Sequence, residues 1–272
     1  MSKLKFLIYF LMIYFCSSCS RYYQVMETSS TNTTVENNAF VFENSEIKIT
    51  YNFWEDGGVM NFILSNKTDS SIFIDWNKSH MIFNDISYEY WNDAEESEAF
   101  YTSYSTTSSS SFVDALSNFK LRNTYGNSIS TTSQGKKSGV ISSSKYKPKK
   151  ILHIPPKSGI LVSKFSLTKD PFFNCDFNMS KLNGKSPKSK SFQKNDSPLK
   201  FRNYLTYSNN ETFLKTRTID NEFYISQALF MKENVFFGKS ITEKECDING
   251  NKKNQTKSTY PFKKSNNFFI KL

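Results

Sequence analysis

Apolar and polar residues alternate along the first third of this chain, and this period of two limits its fold more than any other feature. The stretch EIKITYNF (46–53) shows it most clearly. Its apolar residues share one face of an extended chain: Ile47, Ile49, Tyr51 and Phe53. The turn-forming residues EDGG (55–58) follow, and VMNFILS (59–65) then resumes the alternation. The pair predicts an antiparallel hairpin.

Similar short runs recur along the chain and predict more strands. Asn84–Asp85 suits a two-residue turn, and Pro155–Pro156 interrupts pairing between two runs. No comparable stretch shows the i, i+3, i+4, i+7 spacing of an amphipathic helix. The pattern predicts a mainly β chain that folds as an antiparallel immunoglobulin-like β-sandwich. The predicted strands lie at 39–44, 46–53, 59–65, 72–76, 80–83, 86–91, 151–154, 159–167, 199–208, 221–230 and 266–272.

The alternation fails over residues 92–145, which form a long low-complexity insertion. All but one of the residues from Thr102 to Ser111 are Ser or Thr. Such a segment cannot bury enough apolar surface to offset its conformational entropy, so the insertion is expected to be mobile. Within it, FVDALSNFKL (112–121) has the spacing of one short helix. The predicted β-sandwich domain spans residues 39–272 and carries this insertion.

The aromatic content explains how the chain can build a core. Hydrophobic residues make up only 38% of it, but the chain contains 26 Phe and 15 Tyr residues, which bury large areas each.

The formal net charge is +10, and much of the positive charge lies in the stretches 135–150, 181–200 and 251–264. These stretches are rich in Ser, Gly and Pro, and we interpret them as solvated loops. They lack the interleaved stacking aromatics of a nucleic-acid platform, so no nucleic-acid partner is expected.

The first residues have the features of a secretory signal. Lys3 and Lys5 precede the apolar run 6–15, which is too short to span a membrane but suits a signal h-region. The residues CSSC (16–19) that follow resemble the lipobox of bacterial lipoproteins, although Cys16 stands where an aliphatic residue is usual. The resemblance implies removal of residues 1–18 and acylation of Cys19. An uncleaved N-terminal anchor is the alternative, and a redox pair is less favoured inside an apolar segment.

The residues after Cys19 predict a flexible tether. Residues 19–38 are rich in Ser, Thr and Asn, and they hold at most one short strand, at 22–26.

The chain resembles a group of uncharacterised lipoproteins of Bacteroidetes type in the stretches YYQV, 51–85, IPPKS, PLKFRNYLTYS and NEFYIS. This resemblance implies a β fold and an envelope location, with the membrane as partner through the lipid anchor, and it implies no activity. No carboxylate precedes Glu27 after the cysteine, which departs from the surface-export pattern and indicates an outer-membrane lipoprotein that faces the periplasm.

The sequence offers no recognisable catalytic or metal-binding motif. His80 and His153 stand apart, each without a second His at ligand spacing, and we interpret both as ordinary strand residues. The acidic run DAEESE (93–98) lacks the pattern of a calcium loop and suits a solvated loop. There is no G-x-S-x-G elbow, although a triad assembled from distant positions stays open. We therefore predict no enzymatic activity, no catalytic residue, no metal and no cofactor.

Aromatic residues near the start of the insertion form the candidate contact surface. They are Tyr88, Tyr90, Trp91, Tyr101 and Tyr104. Aromatics at loop mouths of sandwiches often contact proteins or glycans. In the strand IFIDW (72–76), Trp76 is predicted to be a core residue, and Asp75 points to the opposite face, either solvated or in contact with a partner.

Cys175 and Cys246 are the thiols that remain if Cys16 is removed and Cys19 is acylated. In an oxidising compartment they form a candidate disulfide, although spacing alone does not bring the two residues together.

Three classes of function follow. The favoured one is a lipid-anchored, non-enzymatic interaction or structural module of the cell envelope. The first alternative is a lipoprotein that binds carbohydrate or a host surface. An envelope hydrolase with an unrecognised site is the least favoured.

Overall fold

The computed structural model describes residues 21–91, 149–168, 170–172, 182, 186–246 and 252–272. This part of the chain is mainly β, and its strands pair antiparallel. The strands are β1 (Tyr22–Ser30), β2 (Thr34–Glu36), β3 (Ala39–Glu43), β4 (Ile47–Asn52), β5 (Val59–Asn66), β6 (Ile72–Phe83), β7 (Ile86–Glu89), β8 (Ile151–Ile154), β9 (Gly159–Ser166), β10 (Lys188–Ser191), β11 (Lys200–Ser208), β12 (Arg217–Lys232), β13 (Ser240–Cys246), β14 (Lys252–Ser258) and β15 (Asn267–Lys271). The single-turn helix α1 (Glu233–Phe236) follows β12, and a 3₁₀ turn spans Lys194–Asp196.

The strands form two larger sheets and one separate hairpin. The large sheet has eight strands in the order β15-β1-β12-β11-β6-β7, with β10 beside β12 and β8 beside β6. The small sheet has five strands in the order β2-β3-β4-β5-β9, and β13 pairs only with β14. The 16-residue strand β12 organises the large sheet, because it pairs with β1, β10 and β11.

The predicted hairpin at residues 46–65 is confirmed as β4 and β5. Gly57 and Gly58 in its turn have φ values of 75° and 66°, the left-handed region that glycine adopts without strain. A Cβ on Gly58 would lie 2.8 Å from the ring of Phe268 in β15. The turn also pairs with β15, because the backbone N–H of Gly57 donates to the carbonyl of Phe269 at 2.7 Å. The turn therefore connects the small sheet to an edge of the large one.

Both sheets contribute to one hydrophobic core. The small sheet supplies Phe40, Ile47, Ile49, Tyr51, Met60, Phe62 and Leu64, and the large sheet supplies Met26, Ile72, Ile74, Met81, Phe201, Leu205, Ile219, Phe223, Ile225, Ala228, Phe230, Phe268 and Ile270. Aromatic rings carry much of the contact: Phe223 lies 4.9 Å from Tyr51, 5.2 Å from Phe53 and 5.3 Å from Phe201 between ring centroids. The high Phe and Tyr content thus fills the space that aliphatic residues fill in other cores.

A second apolar cluster covers the outer face of the large sheet. Its buried members are Tyr23, Val25, Trp54, Leu229, Met231 and Phe236. The ring of Tyr23 stacks on Phe236 of α1 at 4.1 Å. The short helix and the segment around Tyr260 and Phe262 therefore cover strands β1 and β12 from outside.

Strand β1 corrects the expectation of a flexible tether over residues 19–38. It is nine residues long and lies between β12 and β15. Both of its faces are covered, so its buried residues do not alternate: Tyr23 and Val25 pack outward, and Met26 packs into the main core. The short strand predicted at 22–26 is therefore the start of a longer one, and it includes the buried polar residue Gln24. Its side-chain amide donates to the carbonyl of Phe172 at 2.8 Å and accepts from the N–H of Phe172 at 2.9 Å.

Other elements differ from the predicted strands in detail. The runs 72–76 and 80–83 form one strand, β6, with an irregularity where Thr206 pairs with Asp75 and Tyr204 with His80. Strands β10, β13 and β14 lie within or near basic stretches that we interpreted as loops. The whole of the predicted insertion (92–145), including the helix at 112–121, lies outside the described residues.

Candidate functional site

Tyr90, a member of the candidate contact surface, is a core residue. Only 5% of it is exposed, and its hydroxyl donates to Oδ1 of Asn203 at 2.8 Å. Its ring lies 5.1 Å from those of Trp76 and Phe165. Desolvation by burial raises its pKa well above the ordinary tyrosine value, so the phenol stays neutral. Tyr90 therefore does not form part of an exposed surface, because it sits between the two sheets.

The other predicted surface residues divide into three groups. Trp91 is 7% exposed, and Nζ of Lys150 lies 4.4 Å from its ring centroid. Tyr88 is 47% exposed, and Ile86, on the same face of β7, is 61% exposed. Tyr101 and Tyr104 lie outside the described residues. Within the described residues, Tyr88 is therefore the member of the predicted surface that solvent reaches, with Ile86 beside it.

The turn before β7 fixes the position of this exposed pair. Asn84 and Asp85 have φ values of 44° and 69°, as the predicted two-residue turn requires. The Asn84 side chain accepts a hydrogen bond from the N–H of Lys200 at 2.9 Å, which holds the turn against β11. Strand β7 lies at the edge of the large sheet, so its second backbone side has no neighbour among the described strands. Such an edge is a site where another chain can pair.

Asp75 and Trp76 occupy the irregular part of β6. Trp76 is partly buried against the core and contacts Tyr90, which agrees with the predicted core role. Asp75 is only 8% exposed, so of the two roles predicted for its carboxylate the solvated one is wrong. It accepts from the N–H of Asn77 at 3.1 Å and lies 3.5 Å from Nζ of Lys78. These contacts give Asp75 a local structural role in the irregularity.

A polar network crosses the core, and the sequence analysis missed it. Tyr51 of β4 donates to Oδ1 of Asn221 at 2.7 Å and accepts from Nδ2 of Asn203 at 3.0 Å. Asn203 and Asn221 face each other across β11 and β12, and both are fully buried. Asparagine is usually exposed, so the sequence alone did not identify these positions as core. The only sequence signal was their place within apolar strand runs.

A small polar cavity lies where the β6–β7 turn meets β11. Its volume is about 90 Å³, and its walls include Asn84, Asp85, Lys194, Arg202 and Glu222. Nζ of Lys194 lies 2.6 Å from Oε2 of Glu222, and Arg202 pairs with Asp220. The hydrogen bond to Asp220 raises the pKa of Arg202, and burial opposes it. The cavity therefore presents opposite charges that already neutralise one another in part.

An open apolar groove lies elsewhere on the outer side of the large sheet, next to α1. Its volume is about 470 Å³, and its walls include Pro187, Val235, Phe237, Lys239, Pro261 and Phe262. It adjoins the second apolar cluster, because Phe237 contacts both Tyr23 and Tyr260 in that cluster. The groove could hold an apolar group, with the ammonium of Lys239 at its margin.

The two histidines lie on different strands and do not meet. His153 Nε2 lies 2.8 Å from Oγ of Ser71, and its ring stacks on Phe73. Nδ1 of His80 is buried and has no hydrogen-bond partner in the described part of the chain. Across the same residues, no three His, Cys, Asp or Glu side chains are grouped closely enough to bind a metal ion.

The predicted cysteine sites lie largely beyond the described residues. Cys19 and Cys175 belong to the parts that the structure does not describe, and the backbone of Cys246 ends β13. Acylation of Cys19 and a disulfide between Cys175 and Cys246 therefore stay predictions.

The comparisons with known proteins give no further assignment. No family model matches the chain. No curated protein and no solved structure is significantly similar to it. Among the described residues, no helix is long and apolar enough to cross a membrane.

Proposed function

We propose that this chain is a lipid-anchored protein of the bacterial cell envelope, held to the membrane by an acylated Cys19. The observation that carries the proposal is the order of features at the N-terminus. Lysines, a short apolar run and two serines precede Cys19, and the first strand of the described chain begins at Tyr22. A cysteine so close to a folded domain, directly after a signal-like segment, suits attachment of lipid.

We further propose that the domain is an immunoglobulin-like β-sandwich. Two antiparallel sheets that share one hydrophobic core support this interpretation, as does the long pairing of β11 with β6 and β12. Sandwiches of this kind commonly present edges and loops to partners.

The role that we propose is non-enzymatic interaction or structural support in the envelope. The edge strand β7 favours an interaction role, because Ile86 and Tyr88 project from it into solvent. A protein partner could pair with the free edge and cover both side chains. On the sequence evidence after Cys19, we place the domain on the periplasmic side of the outer membrane.

Binding of a carbohydrate is the second candidate. The polar cavity beside the Asn84–Asp85 turn supports it, because amide, carboxylate, ammonium and guanidinium groups line the cavity. Such groups can hydrogen-bond the hydroxyls of a sugar. Loss of glycan binding on changing Lys194→Ala would support this candidate.

Membrane fractionation of a Cys19→Ala variant tests the anchor. If Cys19 carries the lipid, the wild-type chain partitions into detergent and sediments with membranes, whereas the variant does not acquire the lipid and keeps its N-terminal segment. A Ser18→Ala variant is the matched control and should behave as the wild type. A Cys19→Ala chain with the same N-terminus and lipid content as the wild type would contradict the proposal.

Protease treatment of intact cells tests the orientation. A domain that faces the periplasm survives until the outer membrane is opened. If the domain is digested while a known periplasmic protein survives, it lies on the surface, and the binding role then becomes the stronger one.

A further inference from the structure

We propose that the end of the large sheet at which β1 begins rests on the lipid bilayer, with the apolar groove facing the headgroups. This inference rests on the proposed function, because it needs a lipid on Cys19. It adds an orientation and a specific membrane-facing surface that the lipid anchor alone does not provide.

The first step is the short reach of the chain between the anchor and the fold. Only Ser20 and Arg21 separate Cys19 from Tyr22. Three residue steps of extended chain span at most about 11 Å. The headgroup region on one side of a bilayer is roughly 5–8 Å thick. A lipid-bearing Cys19 therefore brings the start of β1 into contact with the headgroups.

The second step is what surrounds the start of β1. Tyr22 pairs with Lys232, and Tyr23 pairs with Lys271. The N–H of Leu272 donates to the carbonyl of Tyr22 at 2.9 Å, so the last strand ends beside the first. The ends of β12 and β15 must therefore approach the membrane together with β1.

The third step is the groove. Tyr23 stacks on Phe236, and the Phe237 ring that lines the groove lies 5.6 Å from the ring of Tyr23. The groove thus lies next to the anchored end, and the backbone N–H of its residue Gly238 bonds to Thr259 to hold the wall in place. Partly buried aromatic rings and a lysine stem with a charged tip suit the boundary between headgroups and acyl chains.

The charges at this end are compatible with anionic headgroups. The basic side chains there include Arg21, Lys188, Lys232, Lys239 and Lys271, and the acidic ones include Glu55, Asp56 and Glu233. Glu233 lies 3.5 Å from Arg21, and Asp56 accepts a hydrogen bond from the N–H of Lys271. Lysines close to an anionic surface are attracted to it, so Lys239 at the groove adds to the contact.

The opposite end of the sheet supplies a control. Lys215 is exposed and precedes Arg217, the first residue of the 16-residue strand β12. At about 3.3 Å per residue, β12 spans roughly 50 Å, so Lys215 lies far from the proposed membrane surface. Lys239 and Lys271 are also exposed, which makes the three side chains comparable in the free protein.

Lysine labelling of the full-length lipoprotein in vesicles tests the proposal. The protein is placed in vesicles of phosphatidylethanolamine with a minority of phosphatidylglycerol, purified by flotation and treated with a membrane-impermeant amine-reactive ester. Mass spectrometry then gives the labelling rate at each lysine. We expect Lys239 and Lys271 to label several-fold more slowly than Lys215.

A variant with a longer connection is the matched control. Twenty Gly and Ser residues inserted between Ser20 and Arg21 would average roughly 25 Å end to end, enough to release the domain from the surface. If Lys239 and Lys271 lose their protection from labelling in this variant, the short connection to Cys19 is what holds this surface against the membrane. If they stay protected, the surface also binds lipid by itself. If the chain of native length floats with the vesicles but Lys239 and Lys271 label as fast as Lys215, the inference is wrong and the proposed function still stands. A chain that does not float would overturn both.

Discussion

The hydroxyl of Tyr51 donates a 2.7 Å hydrogen bond to Oδ1 of Asn221, and this bond joins the small sheet to the large one inside the core. Nδ2 of Asn203 donates to the same Tyr51 oxygen at 3.0 Å. Desolvation by burial raises the pKa of Tyr51 and the hydrogen bond from Asn203 opposes it, with a net increase. Tyr51 therefore stays a neutral donor at every physiological pH.

Replacing Tyr51 with Phe should destabilise the domain, because Asn203 and Asn221 would keep buried amide groups without this partner. An unsatisfied buried polar group costs about 1–3 kcal/mol, and we expect a loss of unfolding free energy in that range. Urea unfolding measures it. Tyr88→Phe, at the exposed edge strand, is the matched control and should change the free energy by less than about 0.5 kcal/mol. Equal effects of the two changes would mean that the network contributes nothing.

Strand β1 should behave as part of the core and not as a tether. Val25 is completely buried on the outer face of the large sheet. Val25→Ala should reduce the unfolding free energy by about 2 kcal/mol, because it removes buried methyl groups and leaves a small cavity. Thr34→Ala, in the exposed strand β2, is the control and should have a much smaller effect. A Val25→Ala protein as stable as the wild type would indicate that β1 does not pack as described.

Gly58 should not tolerate a side chain. Its φ is 66°, and an added Cβ would lie 2.8 Å from Phe268 and 2.9 Å from Leu167. Gly58→Ala therefore combines backbone strain with a clash, and a strained backbone of this kind alone costs about 1–3 kcal/mol. Thermal unfolding should show a lower midpoint. Gly159→Ala is the comparison, since its tightest contact is with the small Ser65 hydroxyl at 3.0 Å, and it should lower the midpoint less.

Glu46 should make stability depend on pH. Burial acts to raise the pKa of its carboxyl, but hydrogen bonds from Asn209 and Tyr207, together with Arg217, lower it below the ordinary value. A carboxyl whose pKa is lower in the folded state stabilises the fold above its unfolded pKa of about 4.3. That contribution is lost as the pH falls through the folded-state pKa.

Urea unfolding of the wild type and Glu46→Gln between neutral and acidic pH checks this expectation. The wild type should be the more stable protein near neutrality, and the difference should shrink below about pH 4 as the carboxylate is protonated. Glu211→Gln, at an exposed loop position, should change the unfolding free energy by less than about 0.5 kcal/mol. A Glu46→Gln difference that is constant with pH would contradict the assigned role of the ion pair.

The strands with one buried face were the part of the fold that the sequence predicted well. The 46–65 hairpin, the Asn84–Asp85 turn, β11 and the first half of β12 have clear alternation or strong turn residues. In these elements, the local sequence pattern agrees with the burial in the folded protein, so the period of two is enough to identify the strands.

The strands that the sequence missed or predicted too short lack this agreement. Strand β1 is covered on both faces, and its buried Gln24 is satisfied by the backbone of Phe172, a contact that is distant in sequence. In the hairpin of β13 and β14, charged and polar residues predominate. Its sequence therefore resembles a solvated loop.

The candidate contact surface shows the same limit. Tyr88 and Tyr90 are two residues apart and should face the same side of a regular strand. Tyr88 does face the core side, because it pairs with Met81 and its ring lies 5.7 Å from that of Phe83, but it lies in the edge strand and stays exposed. Tyr90 is covered by Trp76 and Phe165 and bonds to Asn203. Alternation could not identify this difference in burial, because a tyrosine suits both environments.

The intact mass of the purified mature protein tests the central claim most directly. If Cys19 is the lipid attachment site, the mass corresponds to a chain that begins at Cys19 and carries acyl groups on that residue. A mass that retains residues 1–18, or that fits a chain from Cys19 without lipid, would contradict the account.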